Sequence, residues 1–129
     1  MLPASINILV VDDEPIVLRL LTRILGDAGY QVHPAKGGRE ALSAFEQNPR
    51  WGAVILDRAM PDMDGEVVAR RIRAGAPDLP IIMLSGNPHA ITDRNQIQAS
   101  AAKPFQLSEL LACVARTLHA ASTPAALGS

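Results

Sequence analysis

Three short apolar stretches, Asn7–Val11, Ala53–Leu56 and Ile81–Leu84, are continuous rather than alternating, which is the pattern of strands buried on both faces. Between them the period changes. Ile16, Val17, Leu20, Leu21, Ile24, Leu25 and Ala28 recur at helical spacing after Pro15, a residue suited to a first turn, and Gly29 stops the run. The same period predicts helices over Gly38–Gln47 (Ala41, Leu42 and Phe45 inward, Asn48-Pro49 ending it) and Gly65–Ala74 (Val67, Val68 and Ile72 inward). A last helix is expected over Glu109–Ala120, capped by Ser108, with Leu110, Leu111, Val114 and Leu118 inward. His89–Ala99 carries only Ile91 and Ile97 as strong apolar residues and predicts a short, poorly anchored helix. Two weaker strands complete the pattern, Tyr30–Ala35 and Ser100–Ala102, and Pro34 places the first of them at a sheet edge. Five strands alternating with five helices predict an α/β fold: one five-stranded parallel sheet in the order 2-1-3-4-5, with helices on both faces.

Composition narrows the function classes. At 129 residues, 48% hydrophobic and 19% charged, the chain reads as one domain over residues 1–121, followed by a flexible tail over 122–129. A net charge of −1 gives no electrostatic reason to expect nucleic acid. No apolar run approaches the roughly 20 residues that span a bilayer, and Met1–Ser5 lacks the charged and apolar regions of a secretory signal. The single Cys113 excludes an intrachain disulfide and fits a cytoplasmic, reducing setting. The arginines of the third helix read as a solvated face.

Candidate chemistry lies at the strand ends. Asp12 and Asp13 follow the first strand, Asp57 the third, Ser85 the fourth and Lys103 the fifth. The predicted order reverses between strands 1 and 3, so the three acids are expected in one pocket. Clustered carboxylates repel and need a counter-charge, and hard oxygen donors of this kind suit Mg²⁺ rather than zinc. An ammonium and a hydroxyl on the same rim would complete the means to stabilise a phosphoryl group, with Asp57 as the nucleophile.

Four segments, Val11-Asp12-Asp13-Glu14-Pro15, Leu56-Asp57 with Met60-Pro61-Asp62-Met63-Asp64-Gly65, Leu84-Ser85-Gly86 and Lys103-Pro104-Phe105, occur in order at strand ends. Together they make the chain resemble the receiver domain of two-component response regulators, over roughly residues 6–120, a family with a flavodoxin-like sheet. The resemblance implies that Asp57 accepts a phosphoryl group from a phosphohistidine on a sensor histidine kinase or a histidine phosphotransfer protein. It implies that Asp13, Asp57 and the backbone carbonyl of Ala59 ligate Mg²⁺ directly, with Asp12 acting through water. Ser85 and Lys103 would grip the phosphoryl oxygens, and the Lys103–Pro104 bond would be cis. Such a protein is not an enzyme acting on a separate substrate; it catalyses its own phosphorylation and dephosphorylation. Asp62, Asp64 and Gly65 read as loop architecture, with Gly65 supplying a positive φ.

The chain departs from that pattern in two places. Ser100 stands where many receivers carry an aromatic residue three positions before the lysine, and the stretch from Ser85 to Lys103 is short. The alternative reading is a non-phosphorylated pseudo-receiver serving as a protein-interaction module. A phosphatase of the haloacid dehalogenase type would need an acid where Ala59 stands, and a flavin domain would need a phosphate loop where this chain has acids. Both a stand-alone regulator and a piece of a larger protein, such as a hybrid kinase, fit the sequence.

Overall fold

The structure is a computed structural model that describes residues 6–48 and 50–122. Five strands, β1 (Asn7–Val11), β2 (Gln31–Ala35), β3 (Ala53–Asp57), β4 (Ile81–Ser85) and β5 (Ala99–Ala102), pair in parallel in the order β2-β1-β3-β4-β5. Four α-helices surround them: α1 (Pro15–Asp27), α2 (Gly38–Gln47), α3 (Gly65–Gly75) and α4 (Leu107–Ser122). The sheet and its order are those the sequence predicts. Pro34 lies on the edge strand β2, where a missing donor is tolerated.

Alternation along each strand divides the core in two. Leu9, Val11, Val54, Leu56, Ile81 and Met83 pack with Ala41 of α2 and Val68, Ala69 and Ile72 of α3. On the other face Ile8, Val10, Ile55, Ile82 and Leu84 meet Leu18, Leu21 and Leu25 of α1 and Leu110 and Val114 of α4. The three inner strands are covered on both sides, which is why their sequences are continuously apolar. All their functional groups are thereby left at one end.

Several expectations need correction. The fourth of the five expected helices, over His89–Ala99, is absent as an α-helix; two single 3₁₀ turns, Pro88–Ala90 and Arg94–Gln96, stand there instead. Side chains take the hydrogen bonds a helix would have made. The Glu66 carboxylate accepts from Thr92 N at 2.9 Å and Asp93 N at 2.8 Å, and Arg73 donates to the Gln96 carbonyl at 2.8 Å. With backbone groups satisfied this way, and with Thr, Asp and Asn as poor helix formers, nothing favours a regular helix.

α1 packs Val17, Leu21, Ile24 and Leu25 of its expected stripe into the core, but the covered face is shifted toward Leu18. Leu18 is buried, whereas Ile16 is 79% and Leu20 39% exposed. The apolar arc of this helix is wider than its contact with the sheet, so the 18-21-25 row is chosen and part of the arc stays wet. Ser108 lies inside α4 rather than capping it, because Leu110 N reaches back to the Gln106 carbonyl at 3.0 Å. α4 also runs on through Ser122, and the rest of the expected tail, 123–129, lies outside the described residues with Pro49 and Met1–Ser5.

Arg73, expected on a wet face, is a half-buried clamp. Its guanidinium donates to the carbonyls of Ala76 (3.2 Å), Pro77 (2.9 Å) and Leu79 (2.6 Å), to that of Gln96, and to Gln98 Oε1 at 2.8 Å. Arg70 and Arg71 are exposed as expected. Among the described residues no helix is long and apolar enough to cross a membrane.

Candidate functional site

β3 carries Asp57 to the sheet's C-terminal edge, where β1 has just ended beside it, Val11 pairing with Leu56. Asp12 and Asp13 therefore leave β1 facing Asp57, and one carboxylate oxygen from each of the three acids lies within 4.8 Å of the others. Asp12 is fully buried and Asp57 is 4% exposed, while Asp13 is half-buried. Lys103 enters from the end of β5. Its Nζ lies 2.9 Å from Asp12 Oδ2, 3.2 Å from Glu14 Oε1 and 3.4 Å from Asp57 Oδ1. The Lys103–Pro104 bond is cis.

Ser85 ends β4 one residue beyond Leu84, the register partner of Asp57. It is buried, its Oγ accepts the Asn87 N–H at 3.1 Å, and its carbonyl accepts the Lys103 N–H at 2.8 Å. Ala59 donates its backbone N–H to the Asp57 carboxylate. Ser100, in the place of the missing aromatic, is half-buried on β5 with its hydroxyl 3.4 Å from Arg94 Nη1. Trp51 lies away from the site, edge-on to the His33 ring at a centroid distance of 4.9 Å.

The electrostatics are those of an acid cluster with too little positive charge. Burial, and then the Asp12 carboxylate, push the Asp57 pKa from 3.8 to about 6, against the pull of Lys103 and the Ala59 amide. Burial alone would lower Lys103, but Asp12, Asp57 and Glu14 outweigh it and hold its ammonium above the ordinary range. One ammonium cannot neutralise Asp12, Asp13 and Asp57 together. Oxygens that share a Mg²⁺ at about 2.1 Å lie within about 4.2 Å of one another, and the oxygens of this set all lie within 4.8 Å. The donor chemistry, the spacing and the surplus of negative charge all fit a hard divalent cation.

The loop after Asp57 is held by its own carboxylates. Asp62 accepts from Gly38 N and Arg39 N at 3.1 Å each, capping α2 from 23 and 24 residues away. Those two bonds hold its pKa below the usual carboxylate range. Asp64 caps α3 through Glu66 N at 2.8 Å. Gly65 does not supply a positive φ, which only Gly29 adopts among the described residues, at 104°. It is needed for close approach, because a Cβ there would collide with the Asp57 carbonyl oxygen and the Arg58 backbone. Gly65→Ala is expected to cost about 3 kcal/mol, since backbone rather than a flexible side chain must give way. Chemical denaturation measures it, and an unchanged midpoint would mean the loop shifts freely.

Two residues make contributions that the sequence does not reveal. Glu14 is a third partner of Lys103. Glu66, 6% exposed, pairs with Arg58 at 3.4 Å and receives the Thr92 hydroxyl at 2.9 Å as well as the two amides. Burial tends to raise its carboxyl, but the Asp93 and Thr92 donors and Arg58 outweigh this and leave it low. The available signal was its position: Glu66 shares a helical face with Ala69 and Ile72, and a charge on a core stripe calls for a partner.

A family model described as "Response regulator receiver domain" matches residues 8–115. The response regulator MprA of Mycolicibacterium vanbaalenii is 41% identical over 123 residues, covering 92% of this chain and 52% of that protein. MprA of Mycobacterium tuberculosis is 40% identical over 112 residues, covering 84% and 48%. The chain thus spans about half the length of these curated relatives. Among solved structures, response regulator TrrA of Thermotoga maritima, in complex with Mg²⁺ and BeF, superposes with a TM-score of 0.80 at 36% identity, covering 88% of this chain and 99% of that one. Chemotaxis protein CheY4 of Vibrio cholerae gives 0.80 at 29% identity, with the same coverage.

Proposed function

The chain belongs to the response regulator receiver domain family, and from that premise we propose that Asp57 is its phosphoacceptor in a two-component or phosphorelay pathway. The observation that carries this reading is the meeting of Asp12, Asp13 and Asp57 with Lys103 at the C-terminal edge of the sheet. Receiver domains of this family interact with sensor kinases. The proposed donor here is a phosphohistidine on a sensor histidine kinase or histidine phosphotransfer protein. Ile16 and Leu20 of α1 are exposed, with Leu20 sharing a surface cleft with Lys103, Phe105 and Leu107, and they would give such a partner an apolar footing beside the acceptor.

In the proposed transfer, an Asp57 carboxylate oxygen forms a bond to phosphorus as the phosphorus–nitrogen bond to the donor imidazole breaks. The departing electron pair stays on that nitrogen. Lys103, already directed at Asp57, and Ser85, on the adjacent strand, would hold phosphoryl oxygens. Mg²⁺ would rest on Asp13, Asp57 and the Ala59 carbonyl, with Asp12 acting through water. When bound it would supply neutralisation of the phosphoryl charge and relief of carboxylate repulsion. We further propose that the protein works in the cytoplasm and acts on no substrate other than its own aspartate.

The test is intact mass after incubation with Mg²⁺ and acetyl phosphate. The expected result is one phosphoryl adduct on the wild type, absent without Mg²⁺ and absent from Asp57→Asn. A folded wild-type protein that takes up no phosphoryl group would replace this reading with that of an interaction-only pseudo-receiver.

A further inference from the structure

Glu66 lies at the second position of α3, and nothing in the proposed phosphoryl chemistry uses it. Its carboxylate is nevertheless the most heavily engaged acid outside the Asp12, Asp13 and Asp57 cluster. Oε1 accepts from Thr92 N, Thr92 Oγ1 and Asp93 N at 2.8–2.9 Å, across 26 and 27 residues of chain, and Oε2 pairs with Arg58. Arg58 is the residue after Asp57, and its own N–H donates to the Leu84 carbonyl at 2.8 Å. Upstream of Thr92 the segment is tied to the site as well. Ile91 is buried against the core, Ala90 N reaches the Asn87 carbonyl at 2.9 Å, and Asn87 N holds Ser85 Oγ.

These contacts close a ring. It runs from Asp57 through Arg58 and Glu66 to Thr92, back along the strap to Asn87, and so to the Ser85 hydroxyl beside its starting point. We infer that Glu66 is a positioning residue for phosphoryl transfer, fixing the Ser85 hydroxyl relative to Asp57 by anchoring the strap of residues 87–93. This rests on the receiver reading above. The strap's far end is anchored separately, by Arg73 on Gln96 and Gln98 and by Gln98 Oε1 on Ile81 N at 2.6 Å. Loss of Glu66 therefore frees residues 87–93 without releasing β5. A hydroxyl displaced by a fraction of an ångström is enough to slow a reaction that depends on alignment.

The experiment compares wild type, Glu66→Leu and Glu66→Gln as full chains. Amide hydrogen exchange reports on Thr92 and Asp93, and intact mass follows phosphorylation against acetyl phosphate concentration in Mg²⁺. Glu66→Leu is expected to lose protection at both amides and to lower the maximal phosphorylation rate on the order of tenfold. Glu66→Gln keeps an acceptor oxygen for the same donors and is expected to restore both to within about twofold. Lost protection with an unchanged rate would overturn the inference, leaving Glu66 as a brace for the loop alone. A rate as low in Glu66→Gln as in Glu66→Leu would also overturn it, because charge rather than anchoring would then matter. Should Glu66→Leu not fold, Thr92→Val removes one of the three donors, and weakened protection there with a wild-type rate has the same meaning. Wild-type protein that takes up no phosphoryl group defeats the phosphoacceptor reading; uptake at an equal rate in all variants defeats this inference alone.

Discussion

Asp57→Asn is expected to abolish phosphoryl uptake and, in the same preparation, to make the Mg²⁺-free protein more stable by about 3 kcal/mol near neutral pH. The carboxyl of Asp57 has an ordinary pKa of 3.8 and one of about 6 in the fold, raised chiefly by burial and by Asp12. A raised carboxyl pKa means that the folded state holds its proton more tightly than the unfolded chain does. The stability this contributes is fully present below the ordinary value and is lost as pH rises through about 6. Above that point wild type folds around a carboxylate that burial and Asp12 both oppose. Asparagine keeps the shape and never ionises, so the two stability curves should coincide in acid and part between about pH 4 and 6. In EDTA at neutral pH the melting temperature should differ on the order of 10 °C. Adding Mg²⁺ should narrow the gap, because a cation that binds the native acid cluster stabilises wild type in proportion to its occupancy. Curves that overlay from acid to neutral pH would show that Asp57 ionises without cost. A functional group that destabilises its own fold is the expected signature of a reactive site.

Asp57 was legible in the sequence because two independent patterns met on it. The apolar run Ala53–Leu56 demanded a strand buried on both faces, and a parallel sheet places chemistry where such strands end. The same reasoning located Asp12, Asp13, Ser85 and Lys103, and Pro34 fixed which strand lies at the edge. What was not legible depended on contacts across long stretches of chain. Thr92 and Asp93 abandon helical bonding for a carboxylate 26 and 27 residues earlier, and Arg73 claims a carbonyl 23 residues later. Local propensity carries no record of either partner. The face of α1 was misread for a related reason. Seven apolar positions define a wide arc, and only packing with the sheet and α4 in one core cluster decides that Leu18 goes in while Ile16 stays out. Gly65 shows the limit from another side. The sequence marks a glycine in a turn, but whether it serves φ or space depends on the Asp57 carbonyl beside it.

Lys103→Met should have the opposite effect on stability and a similar one on function. Methionine preserves most of the apolar stem and removes the only ammonium among the described residues that reaches Asp12, Glu14 and Asp57. Glu14 is 61% exposed and turns to water at little cost, but Asp12 is fully buried and loses its partner at 2.9 Å. Breaking a buried pair from one side is expected to cost about 3 kcal/mol. Without an ammonium to stabilise the transferring phosphoryl oxygens, the rate of uptake from acetyl phosphate should fall on the order of 100-fold. The two substitutions are not independent, since Lys103 and Asp57 lie 3.4 Å apart. In the Asp57→Asn background the lysine has only Asp12 and Glu14 to offset, so Lys103→Met should cost about 1 kcal/mol less there than in wild type. Denaturant unfolding of the four proteins in EDTA measures that difference directly. A cost equal in both backgrounds would mean that Lys103 is held by Asp12 and Glu14 and stands beside Asp57 without energetic coupling, available to a phosphoryl group but not used until one arrives.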